Sequence, residues 1–142
     1  MLPAVERILL TLWVGSLWVT GFMVAPLLFA TLDDRSLAGT IAGKLFGITA
    51  WVGLSCGVVL LLIRRLRSGS GGWRAWVIAA MLVLVCAGQF VLAPMIAELR
   101  AAGMTDTSQF GRLHGVASML FVVTAVLGLW LVAAGQEREI SH

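Results

Sequence analysis

Residues 22–47, FMVAPLLFATLDDRSLAGTIAGKLFG, decide the fold, because residues 90–115, FVLAPMIAELRAAGMTDTSQFGRLHG, follow the same plan 68 positions later. At that offset Phe22 meets Phe90, Ala25 meets Ala93, Pro26 meets Pro94, Gly43 meets Gly111, Leu45 meets Leu113 and Gly47 meets Gly115, while Lys44 meets Arg112. Each copy carries an apolar helix end with Phe-x-x-Ala-Pro, a short polar turn, and a second apolar helix opening on Gly-(Lys/Arg)-Leu-x-Gly. Two helical hairpins of one design are expected. The sharpest departure from the repeat is His114, which stands where the first copy has Phe46.

Outward from that pair, the rest of the chain is nearly all apolar. Of 142 residues 60% are hydrophobic and 12% charged, and the mean hydropathy is +0.99, too apolar for a water-soluble domain of this size. Residues 8–30, 41–63, 76–97 and 113–134 each reach the roughly 20 residues that a bilayer's hydrocarbon core requires. Lipid offers no hydrogen-bond partners to a backbone, so each is expected to be helical. The fold class read here is therefore all-α, a four-helix transmembrane bundle occupying residues 1–142 as one integral membrane domain. No room remains for a separate catalytic module. The first span is long for a signal h-region and lacks a small-x-small cleavage site before Asp33 and Asp34, so an uncleaved span is expected.

The net charge of +3 does not indicate nucleic acid, because the basic residues mark orientation. With four spans, both termini and the middle loop share one side, which collects Arg7, Arg64, Arg65, Arg67, Arg74 and Arg138. The other side sets Arg35, Lys44, Arg100 and Arg112 against Asp33, Asp34, Glu98 and Asp106. The positive-inside rule then places the termini and the arginine-rich loop in the cytoplasm of a bacterial inner membrane. Trp73 and Trp76 fit the same interface, and Ser68 to Gly72 reads as a flexible joint. Glu6 complements the positive end of the first helix dipole. Cys56 and Cys86 sit inside spans at different depths and are read as apolar fillers, not as a disulfide.

Several features bear on function. Pro26 and Pro94 each remove a backbone hydrogen bond and are expected to bend their helices. Gly39, Gly43 and Gly47 form a ridge without side chains along the second helix, matched by Gly111 and Gly115 on the fourth, as close helix packing favours. Asp106 with Gln109 resembles a capping box at the start of the fourth helix. Thr20, Thr49, Gln89 and Ser118 lie about 8–15 Å below the outer boundary at the helical rise and are expected to form one polar layer beneath His114, with Lys44 and Arg112 at the rim. On the functional reading this is an outward-facing polar cavity. On the structural reading the hydroxyls bond carbonyls one turn back and the cations snorkel to headgroups. His114 with Met95, Met104 and Met23 offers thioether and imidazole donors suited to Cu(I), though without a paired ligand spacing. Nothing in the chain equips it for hydrolysis: it has no phosphate loop, no nucleophile beside a base and no intramembrane carboxylate pair.

The residues Trp13-Val14-Gly15, Ala25-Pro26-Leu27-Leu28-Phe29, Ala38-Gly39, Lys44-Leu45-Phe46 and Phe110-x-x-Leu113-His114-Gly115 resemble the bacterial domain-of-unknown-function family 4149, which is similar to the eukaryotic transmembrane protein 205. The resemblance covers nearly the whole chain. It implies a four-helix inner-membrane protein, and through distant likeness to copper-resistance D permeases and membrane protoporphyrinogen oxidases it allows a copper or haem connection. The haem-linked relatives carry a histidine near the start of the first span, at the place that here holds Glu6.

Three expectations follow: a small transport or solute-binding protein, a homo-oligomer or bound to another membrane protein, with a polar cavity near Gln89 and His114; a copper or haem protein with His114 as ligand; or a non-catalytic accessory subunit that docks a partner through its glycine ridges.

Overall fold

Helices that cannot hydrogen-bond to lipid must close every backbone bond within themselves, and each apolar stretch does so over a length greater than its hydrophobic core. The computed structural model describes residues 2–68 and 72–140, except for the side chains of residues 2, 3, 67, 68 and 135–140. The first span is helix α1 (Leu2–Trp18), a π-helical segment (Val19–Val24) and α2 (Ala25–Thr31); the second is α3 (Arg35–Ser68). The third is α4 (Trp73–Cys86), a second π-helical segment (Ala87–Leu92) and α5 (Ala93–Ala101), and the fourth is α6 (Ser108–Ile140). Among the described residues these four stretches are long and apolar enough to cross a membrane, and there are no strands. The greater part of the expected joint, residues 69–71, lies outside the described residues.

The prolines explain the π segments. Pro26 and Pro94 have no N–H to give to the carbonyl four residues back, and their rings crowd it. The turn ahead of each widens by one residue, so that the Ala25 N–H reaches the Thr20 carbonyl and the Ala93 N–H reaches the Gly88 carbonyl. This i to i−5 bonding is what a single-turn π-bulge supplies.

Span 1 packs on spans 2 and 4, and span 3 packs on the same two, so the helices form a closed ring. One end of the bundle, the terminal end, joins Glu6 to Arg64 and Trp73 to Trp130. The other, the hairpin end, carries the two loops within the hairpins together with Pro26 and Pro94. Trp13, Leu60, Ile78, Met81 and Leu131 are fully buried at the centre, with Leu10, Leu17 and Cys56 around them. Both cysteines are free. Many other large apolar side chains, Trp51, Trp76, Val83 and Met119 among them, are exposed, as they are where lipid replaces water.

At the hairpin end each helix is capped locally. Asp34 Oδ1 accepts from the amides of Ser36 (2.8 Å) and Leu37 (3.1 Å) to start α3. The start of α6 differs from the expected Asp106 box: Thr107 Oγ1 accepts from the Phe110 amide at 3.2 Å. The cap falls one residue later because α6 begins at Ser108, which puts Thr107 three residues ahead of a free N–H. Helix α5 ends in a Schellman turn, with the Gly103 N–H on the Arg100 carbonyl and the Met104 N–H on the Leu99 carbonyl. Gly103 takes φ +69°, a conformation that glycine adopts without strain.

Candidate functional site

The glycine ridge of α3 organises the polar residues at the hairpin end. A residue without a side chain leaves room for a neighbour to lie against the backbone, and here the neighbours are polar side chains of span 3. Arg100, in the last turn of α5, donates from Nη1 to the Gly39 carbonyl at 3.1 Å. A Cβ at Gly39 would stand 2.9 Å from Arg100 Nη2 and 3.2 Å from its Cζ, and one at Gly43 would stand 3.8 Å from Nη1. A methyl at Gly39 would therefore shift the guanidinium, whereas one at Gly43 would be in ordinary contact with it. One turn deeper, a Cβ at Gly47 would meet the Gln89 amide at 3.7 and 3.9 Å. Gln89 belongs to the second π segment and is half-buried.

Arg100 Cζ also lies over the ring of Phe110, 5.7 Å from its centroid, close enough for a cation–π attraction. His114, one turn along α6, stacks on the same Phe110 ring with centroids 6.0 Å apart and planes 3° from parallel. His114 is exposed, as are Ser118, Lys44 and Arg112.

Thr20 and Thr49 meet directly, their hydroxyls 2.8 Å apart between spans 1 and 2, with Thr49 buried. Thr124 bonds the carbonyl one turn back, at Leu120. Thr49 and Gly47 are two residues apart, about 200° around the helix, so the threonine pair and the Gln89 contact occupy different faces of α3. The expected polar layer is thereby divided, with Ser118 outside it. Breaking the threonine pair is expected to cost little: a Thr20→Val and Thr49→Val double-mutant cycle in micelles should return a coupling of about 0.6 kcal/mol, the usual size for a hydrogen bond between membrane helices. A coupling near zero would mean that each hydroxyl finds an equivalent partner alone.

The other candidates lie apart from the ridge. Met95 and Met104 are exposed on span 3 and the following loop, and Met23 is exposed on span 1. Among the described residues no three His, Cys, Asp or Glu side chains group as metal ligands. Gly111 and Gly115 face open space: a Cβ at either would meet no atom within 4 Å beyond its own stretch of helix. Near this end α6 turns Phe110, Leu113 and Ala117 toward the bundle and leaves the two glycines at the side. Two shallow grooves, one lined by Ile48, Trp51, Val52, Ser55 and Cys56 and one by Arg7, Ile8, Thr11 and Leu12, are apolar and separate from the ridge.

Arg100 is the residue that sequence reasoning passed over, as one of four basic residues on its side. The available signal was its place in the last helical turn before Gly103, within reach of a ridge that begins one turn into α3.

A ring of four apolar helices, two interrupted by π turns ahead of proline, defines a multi-pass membrane protein. Residues 8–105 match the model of the domain-of-unknown-function family DUF4149, and the chain belongs to that family. Comparison with curated proteins and with solved structures found no match.

Proposed function

We propose that the chain is a bacterial inner-membrane protein that binds or transports a small polar solute at its hairpin end, with that end facing outward and both termini cytoplasmic. The observation that carries the reading is Gln89. Its amide lies half-buried on Gly47 and makes no hydrogen bond among the described residues. An amide without a partner inside a membrane span costs free energy, and polar groups kept there at such a cost are functional candidates. The π segment around it adds support, since such segments recur at functional sites.

We also propose that the two halves are copies of one hairpin. The π segments lie 68 residues apart, and Leu10 and Trp13 share their places in the core with Ile78 and Met81 at the same offset. Binding sites of membrane transporters commonly form where repeated, interrupted helices meet.

The test is uptake by proteoliposomes offered a panel of amino acids, sugars and small carboxylates. Wild type is expected to show saturable uptake or binding of at least one class, and Gln89→Leu to reduce it at least about fivefold, the loss of roughly one hydrogen bond. Identical behaviour of wild type and Gln89→Leu, or no saturable solute, would sink the reading.

The copper or haem reading, which rests on likeness to copper-resistance D permeases and protoporphyrinogen oxidases, draws no support from the residues present. His114 stacks on Phe110, and Glu6, at the place of the relatives' histidine, binds Arg64. Partner docking keeps one supporting observation, the open backbone at Gly111 and Gly115. On that reading a second copy or another membrane helix packs there, and a cysteine placed at Gly115 should cross-link between chains.

A further inference from the structure

We infer that Arg100 is the receptor for an oxyanion, a carboxylate or phosphate group, so that the solute site at the hairpin end selects anionic ligands. This rests on the solute-binding reading and narrows it to a ligand class.

Three observations carry the inference. First, Arg100 has one hydrogen bond, from Nη1 to the Gly39 carbonyl, and pairs with no carboxylate among the described residues. A guanidinium presents five donors and keeps its charge at any ordinary pH, so four donors and the full charge remain available. Second, the group is held in place. Gly39 admits it against the α3 backbone, Phe110 faces it at 5.7 Å, and the Schellman turn at Gly103 fixes the helix end that bears it. An arginine held in a defined plane is preorganised for bidentate binding of a carboxylate or phosphate.

Third, the acids near Arg100 leave its guanidinium without a carboxylate partner among the described residues. The acid at the start of α3, Asp34, already directs Oδ1 to the amides of Ser36 and Leu37. Glu98 is exposed on α5. Deeper along the same ridge, the Gln89 amide is placed to bond the polar remainder of a ligand whose acidic group sits on Arg100.

The anion can be a free solute or the headgroup of an acidic lipid, and the experiment separates the two. Purified protein in phosphatidylcholine nanodiscs is titrated calorimetrically with sodium phosphate and with sodium succinate, against sodium chloride at matched ionic strength. In parallel, retention of phosphatidylglycerol from mixed nanodiscs is counted by native mass spectrometry. Wild type is expected to bind at least one of these probes saturably, and Arg100→Gln to weaken that binding at least about tenfold, as loss of a charge-assisted pair implies. Arg100→Lys keeps the charge and loses the fork, and Gly39→Ala keeps Arg100 but pushes its guanidinium off the ridge; both should also weaken binding. These two keep the inference open to refutation if Arg100→Gln does not fold.

Binding of phosphate or succinate alone identifies a free solute, and retention of phosphatidylglycerol alone identifies a headgroup. Equal affinity in wild type, Arg100→Lys and Gly39→Ala for every probe, or no saturable binding of any, overturns the inference. Gln89-dependent uptake of a neutral solute in that case would leave the solute-binding reading standing. Arg100-dependent anion binding that Gln89→Leu does not change would do the reverse.

Discussion

Trp13→Ala is expected to destabilise the bundle by about 2–3 kcal/mol, more than any other single truncation in the chain. Truncating a core tryptophan in a water-soluble protein costs about 3–5 kcal/mol, part of it the transfer of the side chain from water. That part is missing here, because separated helices stay in lipid, and what remains is the lost packing and the cavity. The packing is extensive. Trp13 is fully buried, and its indole runs lengthwise over Gly53 and Gly57 of α3. A Cβ at Gly53 would overlap Trp13 Nε1 and stand 2.9 Å from its Cδ1, and one at Gly57 would stand 2.9 Å from its Cζ3.

The same geometry predicts a dependence between the two sites. Gly53→Ala alone should destabilise, because its methyl enters the indole, but in a Trp13→Ala background it should cost little or stabilise by filling the gap. Trp13→Phe discriminates further. Trp13 Nε1 is buried with no hydrogen-bond partner among the described residues, and such an orphan donor costs about 1–3 kcal/mol. Removing it offsets the smaller ring, so Trp13→Phe should fall within about 1 kcal/mol of wild type. Reversible unfolding in mixed micelles titrated with dodecyl sulfate measures all four proteins. A Trp13→Phe protein as unstable as Trp13→Ala would show that the indole N–H makes a bond, and the account of the core would fail.

The glycines show how far the sequence could be read. Spans, loops and the placement of both prolines at one end follow from hydropathy and length, because lipid leaves a backbone few options. Glycine spacing, in contrast, specifies room without specifying what fills it. Three ridges of similar spacing meet three fates: Gly39, Gly43 and Gly47 receive Arg100 and Gln89; Gly53 and Gly57 receive Trp13; Gly111 and Gly115 stay open. Which occurs depends on how each helix is rotated in the ring, and that is a property of all four helices together.

The prolines show a similar limit. A missing N–H is visible at Pro26 and Pro94, but the widened π turn that accommodates it leaves no mark of its own in the sequence. Arg100 was hidden for a third reason. Its side chain is long enough to leave its own helix and lie on another, so its neighbours in the sequence do not reveal its contacts in space.

The ion pair between α1 and α3 at the terminal end supplies the second large effect. Arg64 Nη2 lies 3.1 Å from Glu6 Oε2, with side-chain exposures of 24% and 14%. Exposed pairs contribute about 0–1 kcal/mol, whereas removing one member of a buried pair costs about 3–5 kcal/mol because the other charge is stranded. Exposures between those limits point to a loss of about 2 kcal/mol for Glu6→Ala, which takes the carboxylate from Arg64, and to less for Arg64→Ala, because Glu6 has a further contact besides Arg64. The two charges join span 1 to span 2, so the loss should appear as separation of the first hairpin. In the double variant neither charge is stranded, and it should recover part of the loss, giving a coupling of about 1–2 kcal/mol in the cycle. Exchanging the residues, Glu6→Arg with Arg64→Glu, tests whether attraction alone suffices. It should restore less than the native pair, because the fork of arginine and the shorter carboxylate then start from exchanged helices and meet in a different geometry. Additive single-variant losses with no coupling would show that Glu6 and Arg64 act through separate contacts.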